Sequence, residues 1–130
     1  MTTEYAELVA ELHRGTVAGR VNWQRTASEN LFVVYFQAFS VSIKLTVPDN
    51  DPDFVTFTLR DEAGKVIDQF WVNDPEDEWA KAYELYIGAR RRALNIDTAL
   101  KVILTELKSG KPVGKDAAPP PDDDDDEVPF

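Results

Sequence analysis

The sequence contains no cysteine, which excludes disulfides, thiolate metal sites and a cysteine nucleophile. It has one histidine, His13, so no paired-histidine metal spacing exists. No apolar run approaches the roughly 18 residues of a membrane-spanning helix. The first five residues lead into a charged amphipathic stretch and not into a basic-then-apolar signal, so a cytoplasmic location is expected and no membrane partner. Neither Gly-x-Ser-x-Gly nor a phosphate-binding glycine loop occurs, and the carboxylates cluster in turns and at helix starts, so no enzyme, cofactor or metal is expected. A bulk excess of positive charge is also lacking. Seven of the 24 acidic residues follow Lys115, where there is no basic one; the other 17 face 14 basic residues, a net of −3 within a total of −10. Any nucleic-acid surface must then be a local groove.

What is present is 43% hydrophobic and 11% aromatic content in 130 residues, enough for one respectable core. The chain divides into a domain over 1–110, a Pro, Gly and Ala linker over 111–121, and an acidic tail over 122–130. Tyr5, Leu8, Val9 and Leu12 recur at helical spacing opposite Glu4, Glu7 and Glu11, predicting a helix over 3–13 with Thr3 as N-cap. His13 near its end is expected to complement the helix dipole.

The period then changes to two. Strands are predicted over 20–26, with Val21, Trp23 and Arg25 on one face, over 31–36, and over 41–47, where Val41, Ile43, Leu45 and Val47 face the core. Two more, over 54–60 and 65–72, are joined by Asp61-Glu62-Ala63-Gly64 with the glycine left-handed. The loop Pro48-Asp49-Asn50-Asp51-Pro52-Asp53 carries carboxylates, but its spacing lacks the glycine and distal glutamate of a calcium loop, so it is a turn. Asp74 as N-cap and Pro75 at the first position open the main helix, with Trp79, Ala82, Tyr83, Tyr86, Ala89 and Ala93 as its stripe. Asn95 breaks it, Asp97 caps a second helix to Lys108, and Gly110 ends that one. The expected fold is α+β: a five-stranded antiparallel meander flanked by an N-terminal helix and one long or broken C-terminal helix.

Single strands are held by stacking faces together with charge. Nine aromatics between Trp23 and Trp71 exceed what one face of a small sheet buries. Trp23 and Trp71, with Arg20, Arg25, Lys44 and Arg60 in the neighbouring strands, are the preferred contacts. Arg90-Arg91-Arg92 is the densest basic cluster; consecutive helical residues point about 100° apart, so at most two, Arg90 and Arg91, can share a ligand.

The tail is unlike globular sequence. Asp122 to Glu127 repel one another and offer no apolar area, so they are expected to be disordered and extended. Val128-Pro129-Phe130 adds a ring beside a carboxylate, a combination suited to a hydrophobic pocket with a basic lip. The residues Asp124, Asp125, Asp126, Glu127, Val128, Pro129 and Phe130 resemble the C-terminal tip of bacterial single-stranded DNA-binding proteins, where an acidic stretch ending in Pro-Phe recruits replication, recombination and repair proteins.

That resemblance covers less than a tenth of the chain. It implies a phage or bacterial single-stranded DNA-binding protein of the nucleoid, in the host cytoplasm, whose tail binds such partners. The alternative is an adaptor or antagonist that copies the tail to bind host DNA-metabolism enzymes without itself binding DNA. Gly19-Arg20-Val21-Asn22-Trp23 and Ala89-Arg90-Arg91-Arg92-Ala93-Leu94 resemble segments of small bacterial and phage α+β domains, a likeness that carries no function. The element order departs from the oligonucleotide-binding barrel, in which a helix interrupts the strands. A homodimer would double both tails and grooves.

Overall fold

A computed structural model describes residues 2–115. The acidic tail and the end of the linker lie outside the described residues. The elements are α1 (Thr3–Val17), β1 (Gln24–Arg25), β2 (Leu31–Tyr35), β3 (Phe39–Thr46), β4 (Phe54–Asp61), β5 (Val66–Asn73), α2 (Trp79–Ala93) and α3 (Ile96–Lys108). The five strands pair antiparallel in chain order. The result is the expected α+β meander, with β1 and β5 as edges and no helix between strands.

The N-cap of α1 is Thr2, not Thr3: its Oγ1 accepts the Tyr5 N–H at 3.2 Å. The helix also runs past His13 to Val17, through Gly15. That glycine serves close approach and not termination, because a Cβ there would meet Val21 Cγ2 at 2.8 Å. Gly88 in α2 is the counterpart, since its Cβ would lie 2.9 Å from Thr16 Cγ2. The helix stops only at Gly19, with φ +75°, where the Arg20 N–H donates to the Gly15 carbonyl at 2.8 Å.

The expected strand over 20–26 pairs through only two residues. The Trp23 N–H turns back to the Val21 carbonyl at 3.2 Å, so the chain enters the sheet late. In β3, Val41 and Ile43 are buried and Leu45 half-buried as the alternation requires, but Val47 lies past the strand end and is exposed. The β4–β5 hairpin closes as expected: Gly64 has φ +85°, and Asp61 Oδ1 accepts the N–H groups of Ala63 and Lys65 at 3.0 and 2.9 Å.

The main helix begins at Trp79 and not at Pro75. Local turns absorb residues 74–78: Glu76 Oε1 takes the Asn73 N–H at 2.8 Å, and the Trp79 N–H donates to the Glu76 carbonyl at 2.9 Å. From there α2 crosses all five strands and packs beside α1. It buries Ala82, Leu85, Tyr86 and Ala89, whereas Tyr83 of the expected stripe is exposed. Against this helical layer lie Phe32, Val34, Val41, Ile43, Val55, Phe57, Phe70 and Val72. Tyr5 of α1 stacks on Phe70 with centroids 4.3 Å apart, and Phe70 stacks on Phe57 at 4.9 Å. His13 Nε2 meets Glu84 Oε1 at 3.1 Å, tying α1 to α2.

Asn95, with φ +54°, breaks the chain as expected. Asp97 falls inside the first turn of α3 and does not cap it; its carboxylate accepts from Arg91. Two compact units divide between Asp97 and Thr98. In α3, Leu100, Ile103, Leu104 and Leu107 are each about half exposed. No described helix is long and apolar enough to cross a membrane.

Candidate nucleic-acid interface

Because side chains alternate across a strand, each residue packed under α2 has neighbours on the opposite, open face of the sheet. Three cross-strand rows define that face. The first is Tyr35, Ser40 and Arg60; the second Val33, Ser42, Thr58 and Gln69; the third Leu31, Lys44, Thr56 and Trp71. Beyond the third lie Thr46, Phe54 and Asn73.

The floor is built from hydroxyls. Ser40, Ser42 and Thr58 are the buried polar residues of the sheet, and two are held by neighbours on the same face. Arg60 Nη1–H donates to Ser42 Oγ at 3.3 Å, and Gln69 Nε2–H to Thr58 Oγ1 at 2.9 Å. Satisfied in this way, the hydroxyls cost little to bury, and Arg60 is laid flat against the sheet. Among the described residues neither Lys44 nor Arg60 forms an ion pair.

At one corner Tyr35 stands at the tip of the β2–β3 hairpin, which is closed by the Phe36 N–H donating to the Phe39 carbonyl at 2.8 Å, a pairing that puts Phe36 and Phe39 in phase with Val34 and Val41 on the other face. All three are more than half exposed, Tyr35 at 64%. They rim a concavity of about 490 Å³ that takes in Ser40, Ser42 and Arg60, with Asp61 and Glu62 at its lip. The Asp61 carboxylate is already engaged by its loop. At the opposite corner Trp71, 57% exposed, borders a hollow with Phe54 and Asn73.

Of the residues chosen from sequence, Lys44, Arg60 and Trp71 share this face. Trp23 does not. It is 2% exposed, and its Nε1–H donates to Thr16 Oγ1 at 2.9 Å, so it belongs to the core and offers no stacking surface. Arg25 pairs with Phe32, placing it on the helix side of the sheet, where with Arg90 it lines a separate cleft of about 450 Å³. Arg20 is exposed in the connection after α1. Arg91 is occupied by Asp97. The basic candidates therefore divide between two faces and a loop and do not form one groove. Tyr35 and Phe54 also lie on this face and are not among the residues chosen from sequence. Strand parity was the available signal, since Tyr35 falls out of phase with the inward residues Phe32 and Val34.

Tyr86, on the buried side of α2, has its phenol pushed above the ordinary 10.0 by burial, with Arg90 opposing and Tyr83 adding to the rise. Among the described residues no group of three or more His, Asp or Glu side chains could hold a metal ion. No family model, curated protein or solved structure matches the chain.

Proposed function

We propose that the chain is a single-stranded DNA-binding protein that holds the strand on the open face of its sheet and recruits DNA-metabolism proteins through residues 124–130. The observation that carries the reading is the coexistence, on one hydroxyl-floored face, of exposed aromatic rings and cations that form no ion pair among the described residues. A face meant only for water needs no exposed Tyr35 or Trp71. Rings that stack bases beside cations that meet phosphates are the two components of single-strand binding. The acidic Val-Pro-Phe stretch supports the recruiting role through its resemblance alone.

Binding of the full chain to oligo(dT) tests this. Affinity should fall with added salt, with a logarithmic slope of about −0.7 per phosphate contact. Lys44→Ala and Arg60→Ala should each flatten the slope by roughly one contact. No binding at low ionic strength leaves the adaptor reading, which Asp61 and Glu62 at the groove's lip favour.

A further inference from the structure

Resting on that function, we propose that the bound strand runs diagonally across the open face, from the Tyr35 corner to the Phe54–Trp71 corner. The register fixes this geometry. Tyr35 sits level with Ser40 and Arg60, whereas Trp71 sits level with Lys44 and Thr56. The two corners are therefore three strands apart and offset by the four residues from Ser40 to Lys44. With strands about 4.8 Å apart and residues about 3.4 Å apart along them, the corners lie roughly 20 Å from each other.

The cations occupy the other diagonal. Arg60 is on β4 in the row of Tyr35, and Lys44 is on β3 in the row of Trp71, so one positive group stands on each side of the line joining the aromatic corners. Ser42 and Thr58, in the row between, form the floor beneath its midpoint. A strand on this line stacks a base at each end while its phosphates pass between Lys44 and Arg60. A path along the strand direction would reach only one aromatic corner. One that follows the cation diagonal would leave both corners unused.

The length of the line sets the size of the ligand. At the stacked rise of about 3.4 Å per nucleotide, roughly six nucleotides span the two corners; a splayed strand needs fewer, within the known range of about 4–16 for stacking platforms. Oligonucleotides too short to bridge should engage one corner only, and the strand that first bridges should gain sharply in affinity.

The experiment is a titration of the full chain with oligo(dT) from three to ten nucleotides, read by tryptophan fluorescence and by competition. Trp23 is buried and Trp79 half-buried, so the exposed Trp71 should carry the quench. The expected result is a step of tenfold or more in affinity between four and seven nucleotides. Trp71→Leu and Tyr35→Ala should each abolish that step while leaving binding of the shortest strands within about threefold, with melting curves confirming that both variants fold. If wild type binds but affinity rises smoothly with length, or neither variant removes the step, the diagonal path is wrong and the function stands. If wild type binds no oligonucleotide, the function itself is overturned.

Discussion

The two faces of this sheet are made by the same four long strands, one residue out of phase, and they solve opposite problems. Beneath α2, Phe57, Val55, Ile43 and Val72 are wholly buried and packed against Tyr86, Leu85 and the stacked ring of Phe70. On the other side their sequence neighbours Thr58, Thr56 and Ser42 make a surface of hydroxyls, with Trp71 at one corner. Stability resides in the first set and recognition is proposed for the second. Period-two alternation thus lets one stretch of chain be selected for folding and for binding without either choice constraining the other.

The comparison breaks most visibly if substitutions on the two faces behave alike. Phe57→Ala removes the innermost ring of the Tyr5–Phe70–Phe57 stack, itself wholly buried, and should cost about 3–5 kcal/mol in urea denaturation. Trp71→Ala, on the neighbouring strand but the open face, should change stability by no more than about 0.5 kcal/mol and weaken oligo(dT) binding by about 1–3 kcal/mol. A large loss of stability from Trp71→Ala would mean that the open face is structural.

A second substitution sharpens how tightly the helical layer is built. Gly88→Ala brings a methyl to 2.9 Å from Thr16 Cγ2. Thr16 cannot rotate away without losing its bond from Trp23 Nε1. Crowding of this kind costs about 1–3 kcal/mol, partly offset by roughly 1 kcal/mol of helix propensity. A net loss near 1 kcal/mol is expected, and adding Thr16→Ser, which deletes the methyl but keeps the hydroxyl, should restore it. Failure of that rescue would place the strain elsewhere.

The smallest effect is alkaline. Tyr86 keeps its proton in the fold at a pH where the unfolded chain gives it up, so its contribution is complete below pH 10.0 and is lost as pH rises through the elevated folded value. Tyr86→Phe should show a smaller drop in melting temperature between neutral pH and just above pH 10. An unchanged drop would assign the alkaline loss to other groups.

Much of this architecture could be read directly from the residues. The alternation of Val41, Ser42, Ile43 and Lys44 specified both faces of β3, Gly64 and Asn95 marked backbone positions that need positive φ, and strand brevity specified the meander. What misled was local chemistry overridden by packing. The helix predicted to end at His13 continues through Gly15, where Val21 leaves no room for a side chain. Asp74-Pro75 reads as a helix start, yet Glu76 turns back onto Asn73 first. Trp23 looks like an exposed platform until Thr16, seven residues earlier, supplies its hydrogen-bond partner, and no spacing rule announces that pair.

The three indole N–H groups give the most direct test of where a strand binds. They can be followed one by one in a nitrogen-resolved NMR spectrum as oligo(dT) is added to the full chain. Binding on the open face predicts a large shift or broadening for Trp71, together with the backbone amides of Ser42, Thr58 and Gln69, while the Trp23 signal, locked onto Thr16, stays in place. Shifts confined to Arg25, Arg90 and the cleft on the helix side, with Trp71 unmoved, would contradict it.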